Sequence, residues 1–462
     1  MELGGSVAKV DESAWPVARL IPVTGIGSQK EAETRAASAV LAVLSVVRDL
    51  SIAIFSPLGA SKAAKATVET FTEPQFEQDG RKIRPDGIVR ISYGKNSWTA
   101  LVEVKTGDSK LEAGQINAYW DLAREQGFDA VITISNEIAP ALGIHPTDGL
   151  RVRSNSKVAV HHISWTALLS AAVVVKIHHG VADPEQAWVL GELIRYLEHP
   201  ASGAMAFDDM GPHWTSVRDA ARDDALRKSD DSVKDIALRW DQLLRYAALQ
   251  LGSRIGDDVQ QVNPRAQHDP KTRLTHLVDA LVEGSPLEGT LRVPNTVGDI
   301  EIATDLKARR TTTAVTIPAP SDRGSRARTT WLLRQLDDAD RHVSVEAYSK
   351  NARTPTIATV AEARESHDAL LDDGRREAVR FRVVRTTEMG AGRKTGKRSP
   401  GFIDSVIDAV ETFYGDVVQN ITPWTPKAKK LKVPAVEPGL EEAHDPDDHP
   451  VGPLSPYRFP NF

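Results

Sequence analysis

The 462-residue chain has no cysteine. That excludes disulfides, thiolate metal sites and cysteine nucleophiles together, and leaves carboxylates, imidazoles, carbonyls and water to hold any metal. Such hard ligands favour Mg²⁺ or Mn²⁺. No stretch approaches the ~20 uninterrupted apolar residues of a membrane span, so no membrane partner is expected. The N-terminus, MELGGSVAKVDESAWP, lacks a basic start followed by an apolar run, so no secretory signal is expected and a cytoplasmic location is the default.

What is present suits a globular protein of several domains. Apolar residues make up 41% and charged residues 26%, and the length exceeds the ~250–300 residues at which one core stops growing. The formal net charge of −6 is unevenly spread. Lys and Arg outnumber Asp and Glu by 24 to 18 over residues 301–432, ahead of an acidic tail. This gradient points to an anionic partner.

Periodicity predicts a helix over 28–48, capped by Ser28 with Glu31 completing a capping box, and a second, interrupted at Pro57, over 50–66. Residues 68–80 and 81–92 are expected to pair as a hairpin around Asp79-Gly80, with a third strand over 97–105. A helix over 111–126 closed by Gly127, strands at 128–135 and 158–163, and helices over 164–176 and 184–199 follow. The order predicts an α/β fold whose N-terminal part is a mixed sheet flanked by helices. Residues 214–285 look helical, in two or three segments. Residues 286–420 alternate strands (289–293, 298–305, 314–317, 343–348, 380–384) with helices (328–338, 402–418). The expected organisation is an arm (1–27), a first domain (28–210), a helical connector (211–285), a basic α+β domain (286–424) and a disordered charged tail (425–462).

The chemistry concentrates in two neighbouring strands. Asp86 follows Pro85 amid Ile83, Ile88, Val89 and Ile91. Further on comes Leu101-Val102-Glu103-Val104-Lys105. Alternate strand residues share a face, so Glu103 and Lys105 point one way and Val102 and Val104 the other. Charged groups on a face bounded by apolar neighbours are costly unless paired or metal-bound.

Pro85-Asp86 … Glu103-Val104-Lys105 resembles the signature of the PD-(D/E)XK, or restriction-endonuclease-like, nuclease superfamily, over residues ~28–200. The resemblance extends to Gln115 and Tyr119, four apart on one face of the following helix, and to an acidic residue on the first helix. Glu33 lies on that helix's apolar stripe, whereas Glu31 falls roughly 200° away. The resemblance implies a Mg²⁺- or Mn²⁺-dependent phosphodiesterase acting on DNA. Asp86, Glu103, the Val104 carbonyl and Glu33 would serve as metal ligands. Lys105 would act on the attacking water, helped by Gln115 and Tyr119. Genome protection or phage defence is the role suggested by where this fold is frequent. The rival expectations are a non-catalytic nucleic-acid- or protein-binding module and a stress-associated regulatory protein on the same scaffold.

Three further features stand out. His161-His162 face opposite sides of a strand and are expected as one core or surface histidine each. Arg393, Lys394, Lys397 and Arg398 form a basic loop, and Arg323 and Arg326 flank Gly324. Each set either contacts phosphates or is simply solvated. The helical middle and the C-terminal domain are the expected surfaces for a partner protein or a second copy.

Overall fold

The structure is a computed structural model that describes residues 20–21, 25, 27–62, 65–78, 80–139, 144–152, 156–336, 342–371, 376–396 and 399–426. Ser28 accepts a hydrogen bond from the Glu31 N–H and starts helix α1 (Gln29–Val46). The Glu31 carboxylate reaches past the cap to the Gly27 N–H at 2.6 Å, so the expected reciprocal box closes one residue upstream. Helix α2 (Arg48–Phe55) ends in a short 3₁₀ turn at Ser56–Leu58, which contains Pro57.

Strands β1 (Thr67–Thr72), β2 (Phe76–Gln78), β3 (Arg81–Ile83), β4 (Gly87–Tyr93) and β5 (Asn96–Val104) follow. The expected single hairpin is split. β2 and β3 form a two-stranded ribbon, while β1 pairs antiparallel with β4. Pro85 lies at the break, where its missing N–H leaves no ladder bond to lose. Asp86 therefore stands just before β4 rather than in mid-strand. Next come α3 (Ala113–Gln126), β6 (Ala130–Ser135), β7 (Ala159–Ser164), α4 (Trp165–Val173) and α5 (Pro184–Leu197). Gly127 closes α3 with φ 68°, as expected for a left-handed cap.

The first sheet runs β1-β4-β5-β6-β7, antiparallel as far as β5 and parallel beyond it. Strand alternation divides its side chains between two cores. Ala100, Val102 and Val104 pack with α1, α2, α4 and α5, whereas Leu101 packs with Tyr119, Trp120 and Leu122 of α3. The sheet is thus covered on both faces.

Helices α6 (Trp214–Arg222) and α7 (Asp231–Ile255), strand β8 (Gln260–Gln261) and helix α8 (Pro270–Glu283) lead into the second sheet. The remaining elements are β9 (Leu287–Arg292), β10 (Ile300–Asp305), β11 (Arg310–Pro318), α9 (Ser325–Gln335), β12 (Val343–Ser349), β13 (Thr356–Thr359), α10 (Val360–Glu365), β14 (Ala378–Glu388) and α11 (Phe402–Asp416). This second sheet has seven strands in the order β13-β12-β14-β11-β10-β9-β8, all antiparallel. Its core includes Trp214 and Trp240 against Phe402, with ring centroids 4.2 and 6.1 Å away. Helix α7 packs against both α4 of the first layer system and β9 of the second. The described chain is therefore mixed α/β, with eleven α-helices, two main sheets and no closed barrel among the described residues. Strands β8 and β13 and helix α10 were not expected from periodicity. No single helix among the described residues is long and apolar enough to cross a membrane. The tail expected from 425 onward lies outside the described residues from 427.

One glycine brings α1 onto the sheet. A Cβ at Gly87 would meet the Leu41 side chain and would lie 2.8 Å from the Phe71 carbonyl oxygen. The second clash is with backbone and cannot be relieved by a rotamer change. Gly87→Ala is expected to destabilise the protein by about 1–3 kcal/mol, the usual cost of overpacking. A urea unfolding curve with an unchanged midpoint would contradict this packing.

Candidate active site

Four of the elements, α1, β4, β5 and α3, deliver the candidate side chains. Gly87 is paired with Val102, so the residue before it, Asp86, and Glu103 flank the same rung of the β4–β5 ladder. Lys105 is the first residue beyond β5, and its N–H still donates to the Ile134 carbonyl at 2.8 Å. With Val102 and Val104 buried in the opposite core, Glu103 and Lys105 share the α3 side, as alternation predicts.

Lys105 Nζ lies 2.5 Å from Glu103 Oε1. Their side chains are only 16% and 3% exposed, so this is a buried, charge-assisted pair rather than a surface one. Gln115 Nε2 donates to the same Glu103 oxygen at 2.7 Å and contacts the Tyr119 hydroxyl at 2.9 Å. The Tyr119 hydroxyl in turn donates to the Arg84 carbonyl at 3.4 Å. The four-residue spacing on α3 thus joins Gln115 and Tyr119 to Glu103 directly. Asp86 Oδ2 accepts the Val104 N–H at 2.7 Å, so the backbone of Val104 belongs to the site while its side chain does not.

The electrostatics follow from crowding anionic groups where water is scarce. Burial, reinforced by the Asp86 charge, pushes the Glu103 carboxyl up to about 7, against the pull of Lys105. Burial also raises Asp86, opposed by the Val104 N–H and by Lys105. Burial alone would lower Lys105, but the Glu103 hydrogen bond and the charges of Glu103, Glu33 and Asp86 hold it above its ordinary value. Tyr119 is raised by burial and by the Glu103 charge. Glu33 approaches from α1 closely enough to act on both Asp86 and Lys105. Its Oε1 is buried and has no hydrogen-bond partner among the described residues. Three carboxylates therefore converge on one ammonium, a set that is short of positive charge.

The sequence reading missed the continuation of this row. Glu103, Thr133 and His162 stand level on β5, β6 and β7. Thr133 Oγ1 lies 2.8 Å from His145 Nε2 and 2.9 Å from His162 Nδ1. The Thr147 N–H donates to His145 Nδ1 at 3.0 Å, and His162 Nε2 lies 2.7 Å from the Glu137 carbonyl. These contacts assign one consistent proton order. His145 Nε2–H donates to Thr133, the Thr133 hydroxyl donates to His162 Nδ1, and His162 Nε2–H donates to Glu137, with both rings neutral. His161 faces away from this chain, as alternation requires.

The basic residues singled out from sequence have local partners. Arg393 and Lys394 both pair with Asp209, at 3.0 and 3.8 Å. Arg326 pairs with Asp368 at 3.2 Å, and the Arg323 guanidinium lies 4.9 Å from the Trp424 ring centroid. Lys397 and Arg398 lie outside the described residues. Among the described residues no three His, Asp or Glu side chains close into a metal cage. Compared with known proteins, the chain matches no family model, no curated protein and no solved structure.

The histidine chain carries a pH dependence. Burial lowers both His145 and His162 to about 4, with their mutual proximity adding to the effect on His145. In the unfolded chain each titrates near its ordinary value of 6.5. Between these values the unfolded state binds more protons at both histidines, so their contribution to stability falls as pH drops from about 6.5 towards 4, while the raised Glu103 and Asp86 contribute with the opposite sign. Chemical denaturation of the wild type and of His162→Gln across that window isolates the histidine part, and the difference between their slopes should equal about half of the two-histidine contribution. An identical pH profile for His162→Gln would contradict the assigned neutral pair.

Proposed function

We propose that the chain is a metal-dependent nuclease of the PD-(D/E)XK type, with Asp86, Glu103 and Lys105 at its centre and DNA as substrate. On this reading the five-stranded sheet and its helices are a restriction-endonuclease-like domain. The seven-stranded half, with the basic excess of residues 301–432, holds the substrate. The observation that carries the proposal is the convergence of Asp86, Glu103 and Glu33 on Lys105, with Gln115 and Tyr119 bonded into the same group.

The donor set fits Mg²⁺ or Mn²⁺. Asp86, Glu103, the Val104 carbonyl and Glu33 would supply the oxygen ligands, and the buried Glu33 Oε1 lacks a partner among the described residues. A divalent ion there would neutralise the carboxylates and stabilise charge developing on the phosphodiester. The protein's own part is positional. Glu103, itself held by Gln115, restrains Lys105, whose raised pKa keeps it an ammonium at neutral pH, suited to orienting a water molecule and countering phosphorane-like charge. Tyr119 stays a neutral phenol and fixes Gln115.

A second reading is a non-catalytic nucleic-acid- or protein-binding scaffold. It is favoured by the absence of a closed three-ligand cage among the described residues. Plasmid, linear and single-stranded DNA and RNA, incubated with Mg²⁺, Mn²⁺ or EDTA, separate the two. The nuclease reading expects DNA cleavage that EDTA abolishes. It also expects Lys105→Ala and Asp86→Ala each to reduce that cleavage by about 10²-fold or more, the usual scale for losing a positioned catalytic group. Binding without cleavage in every metal would sink it and leave the scaffold reading.

A further inference from the structure

Asn136, the first residue after β6, straps the segment that follows Lys105. Its Nδ2 donates to the carbonyls of Gly107 and Gly203, at 3.0 and 2.9 Å, and its Oδ1 accepts the Met205 N–H at 2.7 Å. The Gly107 N–H donates to the Gly203 carbonyl at 2.8 Å. Thr106, between Lys105 and Gly107, is fully buried, and Gln29 of α1 donates to both its carbonyl and its hydroxyl. Trp165 Nε1 donates to the Lys105 carbonyl at 2.8 Å. The backbone that carries the ammonium is therefore held from α1, α4 and the end of β6 at once.

The residues after Asn136 pass directly into the other half of the molecule. Ile138 is buried in the core of the seven-stranded sheet. Gln242 of α7 donates to the Ile138 carbonyl at 3.4 Å, and Arg245 of α7 donates to the Ala139 carbonyl. Arg245 is itself fixed by Asp241 at 3.1 Å, and Asp241 by the buried Arg273 at 3.1 Å. Arg273 donates to the Glu288 carbonyl of β9. Polar contacts thus run from the second sheet through α7 to the Ile138 and Ala139 carbonyls, and two residues of backbone connect these to Asn136 and its bond to Gly107.

We infer that Asn136 is a positioning residue for Lys105, and that α7 sets it through Gln242 and Arg245, so that the seven-stranded half governs the turnover rate of the first. This rests on the nuclease reading for its catalytic consequence, but its structural part does not. A demonstrated coupling, rather than spatial intermediacy, is what establishes such a link.

The test uses the full chain with Asn136→Ala, Arg245→Ala, Gln242→Ala and Arg245→Lys, each checked for an intact thermal transition. Amide hydrogen exchange over residues 103–110 and metal-dependent cleavage kinetics are both measured. Loss of these hydrogen bonds is expected to speed exchange at Gly107 by about tenfold in Asn136→Ala and Arg245→Ala. In the same variants kcat should fall by about tenfold with KM within about twofold. Arg245→Lys should recover most of both effects. Gln242→Ala, a milder change that covers the case in which Arg245→Ala fails to fold, should act in the same direction. Unchanged exchange at Gly107 in folded Asn136→Ala and Arg245→Ala overturns the inference. If the wild type does not cleave, the nuclease reading falls while the exchange data still decide the coupling.

Discussion

The buried pair between Lys105 and Glu103 is the constraint on which the rest of the account depends. A carboxylate and an ammonium removed from water lose hydration worth several kcal/mol each, and their attraction offsets this only with good geometry and further hydrogen bonds. The chain supplies both: Gln115 donates to the same Glu103 oxygen, and the pair is 2.5 Å apart. Yet Asp86 and Glu33 add negative charge that one ammonium does not balance. Replacing such a cluster with apolar side chains would often be neutral or stabilising. Its presence in a sheet otherwise packed on both faces is what singles out this end of the β4–β5 ladder as the candidate site.

The surrounding fold serves that cluster in distinct ways. Pro85 lies between β3 and β4, so Asp86 stands just before β4, where its carboxylate accepts the Val104 N–H. Gly87 lets α1 approach β4, and the Glu33 charge on α1 acts on Asp86. The parallel strands β5, β6 and β7 end together, so their C-terminal ends form one rim, a common location for sites in sheets with parallel strands. The Thr133–His145–His162 chain fixes part of that rim next to Glu103.

Much of the candidate site was legible in sequence because its signals are local. The two-residue period of a strand separated Glu103 and Lys105 from Val102 and Val104, and the helical period joined Gln115 to Tyr119 and put Glu33 on the buried side of α1. Lines of contact set by tertiary alignment were not legible. Thr133 hides in an apolar run, and nothing in residues 128–135 reveals that β6 stands level with Glu103 on one side and His162 on the other. Likewise Ile138 looks like an ordinary residue after a strand, although it is buried in a core whose other members begin at Met210. The second sheet was only partly foreseen. Strand β13 is four residues long and β8 two, too short to establish a period, while the Thr359–Glu362 capping box that starts α10 was present in sequence and overlooked.

The most direct test of the central claim is a calorimetric titration of the full chain with Mn²⁺ at neutral pH, alongside Asp86→Ala and Glu103→Ala. The account predicts saturable binding by the wild type that either substitution abolishes or greatly weakens. No saturable binding to the wild type, or equal binding by all three proteins, would contradict the assignment of this cluster as a metal-dependent catalytic centre.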